Sequence, residues 1–376
     1  MTVSSFNHVR ISGIKTVVPE HFIDIDDELQ YFDNNPKKLA RAKKMMGYGR
    51  RYIADDNTTV TDMAVDAAEK LLEEMQINRF DIESVIFVNQ SQDYPEPCDA
   101  CIAHDKLGLN EDCACFSVSL GCSGYVYGLW LAHSLITSKA VANCLILAGD
   151  VSTRKIEQTN RKFAPVFGDA CSATFLQYTD QEKTASFVLG TRGKGWNKIV
   201  MPFGGLRMPH GKDTVSLRVA DAAGNEWNGR TAIMKGEDVF NFTMDVAPRL
   251  LNDTMKAANW TADDVDLFAI HQANKQIVEN IVSKAGIPPE KAPVDVFSKY
   301  ANNSTNSVVT VLCDQTKPLK NVVLCVFGIG LSWGGAALDL SGMYNGEITT
   351  YISPKDKPTR EQQIQHWINY FKGEEE

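Results

Sequence analysis

The strongest constraint on the fold is that the chain carries the same order of segments twice. The first copy has a run VTDMAVDAAEKLLEEMQI, an acidic turn, and then VIFVNQS ending at Ser91. The second has VFNFTMDVAPRLLNDTMKAANW, the acidic turn TADDVD, and then LFAIHQ. Met63, Val65, Ala67, Leu71 and Leu72 recur at helical spacing in the first run, as do Val246, Leu250, Leu251 and Met255 in the second. VIFV and LFAI are short, apolar and non-alternating, the pattern of strands buried on both faces. The match continues: NCLILAGD at 143–150 answers NVVLCVFG at 321–328, and GDACSATFLQY answers SWGGAALDLSG. Two mixed β/α units with sheets packed on shared helices are therefore expected. The boundaries read as 1–185 for the first half, 186–230 for a Gly- and Pro-rich inserted loop, 231–342 for the second half, and 343–376 for an extension. The extension ends in a polar–apolar helix, TREQQIQHWINYFKGEEE, suited to packing or oligomer formation.

Charge and cysteine content narrow the function classes. A net charge of −9 disfavours a general nucleic-acid binder, which needs a basic face. No stretch approaches the roughly 20 apolar residues of a membrane span. MTVSSFNHVRISGI reads as a strand and not as a leader, so the cytoplasm is the expected location. Nine cysteines in so long a chain are expected as reduced, mostly buried thiols. The cluster Cys98, Cys101, His104, Cys113 and Cys115 invites a zinc reading. However, Cys113 and Cys115 are poorly spaced for a zinc knuckle, and no metal is expected.

One cysteine stands apart. In CACFSVSLGCSGYVYGLW, a strand over Ala114–Leu120 leads into a helix over Tyr125–Ile136, and Gly121 and Gly124 bracket Cys122 at the turn. A helix start offers unpaired N–H groups and a positive dipole end, which predicts a lowered thiol pKa. The competing reading is a buried cysteine that merely fills space beside a glycine turn. In the second half, His271 closes the strand LFAIH and opens the helix QANKQIVENIVSKAG. Asn302 follows VDVF and precedes an apolar helix. A lone His or Asn there is usually a cap or turn residue. Three such groups at strand ends of a duplicated fold are harder to explain as caps, since side chains of mixed α/β folds converge there.

LGCSGYVYGL, IHQAN, YANNSTNSV and FGIGLSWGGA, in that order and spacing, resemble ketoacyl synthase III of the thiolase superfamily, over about residues 8–341. The stretches at 149–161, VFGDACSA and MKGEDVFNF add to the likeness. The resemblance implies a five-layered αβαβα homodimer, no cofactor, and acyl coenzyme A or acyl carrier protein thioesters as substrates. Cys122 would take the acyl group. His271 and Asn302 would bind a malonyl thioester, whose decarboxylation gives an enolate for Claisen condensation. The N–H groups of Cys122 and Gly330 would form the oxyanion hole, and Arg161, Phe240, Asn274 and Leu331 would contact substrate. Departures from the family pattern also matter. Arg41 stands where a coenzyme-stacking Trp is usual, and Gln276 replaces a docking arginine between Lys275 and Lys284, so the donor is left open. Glu96, in DYPEPC, occupies a position that in head-to-head condensing enzymes supplies a base across the dimer interface. This implies an alternative, non-decarboxylative condensation or acyl transfer to oxygen or nitrogen. Glu96 as a solvated turn residue is the plain reading. A non-catalytic relative is the third, disfavoured because the nucleophile is retained.

Overall fold

The computed structural model describes residues 1–374. The elements of its two main sheets and the helices packed on them are numbered here in chain order. The first half contributes β2 (Val9–Pro19), α1 (Val60–Glu74), β3 (Ser84–Val88), α2 (Asp99–Lys106), β4 (Ala114–Val118), α3 (Gly124–Thr137), β5 (Asn143–Asp150) and β6 (Ala170–Tyr178). The second contributes β7 (Ala185–Thr191), α4 (Gly236–Ala257), β8 (Leu267–Ile270), α5 (Lys275–Ala285), α6 (Ser307–Cys313), β9 (Asn321–Gly328) and β10 (Ser332–Asp339). β1 (Thr2–Phe6) precedes both; β11 (Tyr344–Asn345), β12 (Thr349–Tyr351) and α7 (Arg360–Lys372) follow.

The duplication is visible strand by strand. In the first sheet β2, β6, β5 and β3 lie side by side, with Ile14 opposite Thr174, Thr174 opposite Ile146, and Ile146 opposite Ile86. In the second, β7, β10, β9 and β8 repeat that order, aligning Phe187, Ala336, Leu324 and Ala269. The first two pairings in each set are antiparallel and the third parallel. Most of these side chains face one core, shared by both sheets with α3 and α6 between them. The opposite faces are covered by α1 and α2 in the first half and by α4 and α5 in the second. Helix, sheet, helix, sheet, helix is the five-layered arrangement expected. α1 shows why these segments fold locally: a Thr59–Asp62 capping box starts it, and Val60, Met63, Ala64, Ala67, Leu71 and Leu72 form its buried stripe.

Three details differ from the sequence reading. β7 takes up the first residues of the expected loop 186–230. It is the counterpart of β2, so the irregular stretch lies within the second half, between β7 and α4, rather than between the halves. VDVF is not a strand: Val296–Tyr300 forms a short helix, and the second sheet ends at β8. The amino-terminal strand is two strands, and β1 crosses over to pair with β7. The extension is also tied down. β11 and β12 pair with β2, Lys357 meets Asp62 at 2.9 Å, and Trp367 of α7 packs edge-on against Tyr94, ring centres 5.8 Å apart.

Candidate active site

Cys122 sits in the turn between β4 and α3. The turn is tight because neighbouring groups crowd it. A Cβ on Gly121 would lie 2.4 Å from the Gln90 side-chain oxygen, and one on Gly328 would lie 2.7 Å from Cys122 Cβ. Gly328 ends β9, so the second half can approach the thiol only because this residue has no side chain. No side chain caps α3, because the Ser123 hydroxyl turns instead to Ser332 Oγ at 2.7 Å. The first N–H of the helix, that of Gly124, is taken up within the turn itself by Gly121 O at 2.6 Å.

Cys122, His271 and Asn302 line one cavity of about 370 Å³. His271 follows β8 and is fixed by its backbone N–H donating to Cys325 O at 2.9 Å. Phe327 meets its ring edge-on at 5.3 Å. Its Nδ1 is buried without a partner, and Nε2 is the nitrogen left to open on the cavity. A buried unpaired lone pair is a smaller defect than a buried unpaired N–H, which favours the Nε2–H tautomer, a donor aimed into the cavity. Burial pulls the imidazole pKa down to about 4, so the ring is neutral at pH 7. In proton-detected NMR of ¹⁵N-histidine-labelled protein, the His271 resonance (assigned by its loss in His271→Gln) is expected not to titrate between pH 5.5 and 8. A midpoint near the ordinary 6.5 would show that the ring is solvated.

Asn302 is not at a strand end. It lies in a loop locked to Val166–Gly168: its N–H donates to Val166 O at 2.9 Å, and its carbonyl accepts from Gly168 N–H at 3.1 Å. Its side-chain oxygen accepts from Ser304 N–H at 2.9 Å, which leaves the carboxamide N–H₂ as the end available to a ligand.

The thiol pKa runs against expectation. Burial pushes it up to about 11, reinforced by the Asp150 carboxylate. The Ser304 hydroxyl, 3.9 Å from the sulfur, and the N–H groups of Cys122 and Ile329 only partly offset this. The helix start is present, but desolvation outweighs it. With the thiol near 11 and the imidazole near 4, resting proton transfer between them is strongly disfavoured, and the thiolate is best served by donors around the sulfur.

The other expected site residues divide. Phe240 and Asn274 line the cavity, although Asn274 also caps α5, its oxygen accepting from Ile277 N–H at 2.9 Å. Gly330 does not line it; the amide reaching the sulfur belongs to Ile329, one residue earlier. Gly330 holds φ at +134°, a backbone conformation that explains a glycine there without an oxyanion role. Leu331 is buried in the outer core of the second half. Arg161 is held by Asp33 at 2.6 Å and by Ala223 O, beside the lining residues Lys162 and Phe163. Lys275 pairs with Glu279 at 3.7 Å, and Lys284 donates to Met244 O at 2.8 Å, while Gln276 lines the cavity. Glu96 is exposed and lies outside the cavity of its own chain. Among the described residues no group of three or more His, Cys, Asp or Glu side chains could hold a metal ion. Cys98 and Cys101 lie 3.7 Å apart and Cys113 and Cys115 3.8 Å apart, all as free thiols. The sequence reading missed Ile329, Ser304, Phe327 and Asp150. All four lie inside segments singled out by sequence: Ser304 in YANNSTNSV, Phe327 and Ile329 in FGIGLSWGGA, and Asp150 at the end of NCLILAGD.

Residues 116–193 match the family described as 3-oxoacyl-[acyl-carrier-protein (ACP)] synthase III, and residues 255–340 match its C-terminal counterpart. A putative 3-oxoacyl-[acyl-carrier-protein] synthase 3 of Campylobacter jejuni is 35% identical over 93% of this chain and 99% of its own. The chain belongs to the 3-oxoacyl-[acyl-carrier-protein] synthase III family. It is thus an acyltransferase of the condensing-enzyme type. A 3-oxoacyl-(acyl-carrier protein) synthase from Burkholderia xenovorans superposes on it with a TM-score of 0.84 at 30% identity, covering 93% of this chain and 99% of that one. OleA of Xanthomonas campestris, at 18% identity and a TM-score of 0.72, covers 89% of this chain and 97% of its own, and shares the fold alone. No helix among the described residues is long and apolar enough to cross a membrane.

Proposed function

We propose that this synthase III family member condenses an acyl thioester with a malonyl thioester in two half-reactions on Cys122. The observation supporting this is the shared cavity of Cys122, His271 and Asn302. In the first half-reaction the sulfur attacks the acyl carbonyl and the donor thiol leaves. The N–H groups of Cys122 and Ile329, which reach the sulfur, would stabilise the tetrahedral oxyanion. In the second, the malonyl thioester places its carbonyl oxygen between His271 Nε2–H and the Asn302 carboxamide. Loss of carbon dioxide passes its electron pair to the α-carbon as an enolate, whose oxygen those donors stabilise. The α-carbon then attacks the acyl–sulfur carbonyl, Cys122 leaves as thiolate, and a 3-oxoacyl thioester is released. A neutral imidazole suits this work, since it donates one hydrogen bond and removes no proton. Carrier protein or coenzyme A as donor, and a homodimeric assembly, belong to the same reading. Labelled carbon dioxide released one-to-one with product tests it, and product formed without that release would overturn it.

The alternative gives Glu96 the role of base on a second acyl chain. Its exposure on a loop braced by Trp367 of α7 suits a residue that reaches a neighbouring subunit, and equally a solvated turn. Under the decarboxylative reading, Glu96→Ala leaves both half-reactions within about twofold of wild type, as surface changes usually do. A slowing of carbon–carbon bond formation by tenfold or more, with acylation intact, would move the chemistry to Glu96.

A further inference from the structure

The two walls of the cavity differ in chemistry. His271 and Asn302 come from the second half, and in the proposed function they hold the malonyl unit. The first half supplies the opposite wall, from the ends of β3 and β5: Gln90, Asp150, Ser152 and Lys155 all line the cavity. Gln90 adjoins the nucleophile's turn, its side-chain oxygen sitting over Gly121. These four are polar, whereas much of the remaining lining is apolar, as with Phe163, Phe167, Met234 and Val239.

The hydrogen bonding of this wall is unbalanced. Asp150, 2% exposed, is satisfied by the chain itself. One oxygen accepts from Gln90 N–H at 2.8 Å and Ser91 Oγ at 3.0 Å, and the other from Thr305 Oγ1 at 2.9 Å. The Lys155 ammonium has three N–H groups, and Gln90 O accepts one of them. Burial pulls its pKa down while Asp150 counters. The Gln90 carboxamide and the Ser152 hydroxyl donate to no group of the chain among the described residues, although Ser152 is buried. Donors are therefore in excess on this part of the cavity lining. A saturated hydrocarbon chain lying there would strip them of water without replacing it, at about 1–3 kcal/mol for each buried donor left unmade.

We infer that the acyl group carried by Cys122 bears a hydrogen-bond acceptor oxygen a few bonds from the thioester, read by Lys155 with Ser152 and Gln90. The acceptor is a hydroxyl, keto or carboxylate oxygen. This rests on Cys122 being the acylated residue and extends it to substrate class.

The test compares N-acetylcysteamine thioesters of four-carbon acids, which need no carrier. Butyryl, 3-hydroxybutyryl, acetoacetyl and succinyl donors are offered to the full chain, and adduct formation at Cys122 is timed by intact-protein mass spectrometry. At least one oxygenated donor is expected to acylate ten times faster than butyryl or more, and the oxygen type that does so identifies the acceptor. Lys155→Met is expected to shrink that ratio at least fivefold, and Ser152→Ala, which keeps the fold should the lysine variant fail, to shrink it at least twofold. Butyryl acylating as fast as every oxygenated donor would overturn the inference, as would ratios untouched in both variants. No Cys122 adduct from any donor would instead defeat the proposed function, and the inference with it.

Discussion

Cys122→Ala is expected to abolish acyl-enzyme formation, seen as complete loss of the acyl mass adduct. The reason is chemical and positional. Nine free thiols are present, but burial without access makes most of them inert. Cys144, Cys171, Cys313 and Cys325 are buried in the cores, and burial raises all four thiols. Cys122 alone of the nine lines the cavity, with donors from Ser304 and from backbone amides around its sulfur. Stability is expected to change little, because the substituted side chain is small and abuts Gly328. A persisting adduct on another cysteine, located by peptide mapping, would refute the assignment.

His271→Ala and Asn302→Ala are expected to leave that adduct intact and to slow condensation by about a hundredfold to a thousandfold each. This is the range for losing one preorganised donor to a developing oxyanion. The two effects should be less than additive in the double variant, because both donors serve one oxygen. The separation of half-reactions is the informative part: the donors come from the second half of the fold and the nucleophile from the first. Single-turnover measurements on pre-acylated protein check it. Acylation slowed as much as condensation would mean that these side chains shape the pocket generally rather than hold the enolate.

Much of this was legible in the sequence, and the misreadings have physical causes. The helices α1 and α4 and the strands β3, β5, β8 and β9 announced themselves by periodicity and by uniform apolarity, because they are buried where the pattern says. β7 was missed as the opening of the second half because it follows β6 after a short turn. Its partners, β1 and β10, lie far away in sequence, where no local signal reaches. VDVF has strand-like residues, yet no strand lies beyond β8 to pair with it, and the segment folds as a helical turn. For the amide near the sulfur, the glycine signal pointed at Gly330, whose glycine suits its own φ, while the cavity-lining residue whose N–H reaches Cys122 is Ile329. The thiol was misjudged because a helix start is readable in one dimension, whereas desolvation depends on everything that folds over it.

The crossover of β1 onto β7 has a bearing on how the chain is made. Residues 2–6 are synthesised long before their partners at 185–189, and β7 gains its other neighbour only when 332–338 appear. At roughly 5–20 residues per second, that wait is on the order of tens of seconds. The nascent front half can bury α1 and α2 meanwhile, but the rear sheet cannot close until residues 332–338 have been made. During that interval its strand edges lack partners, and unpaired edges are ready templates for pairing with another chain.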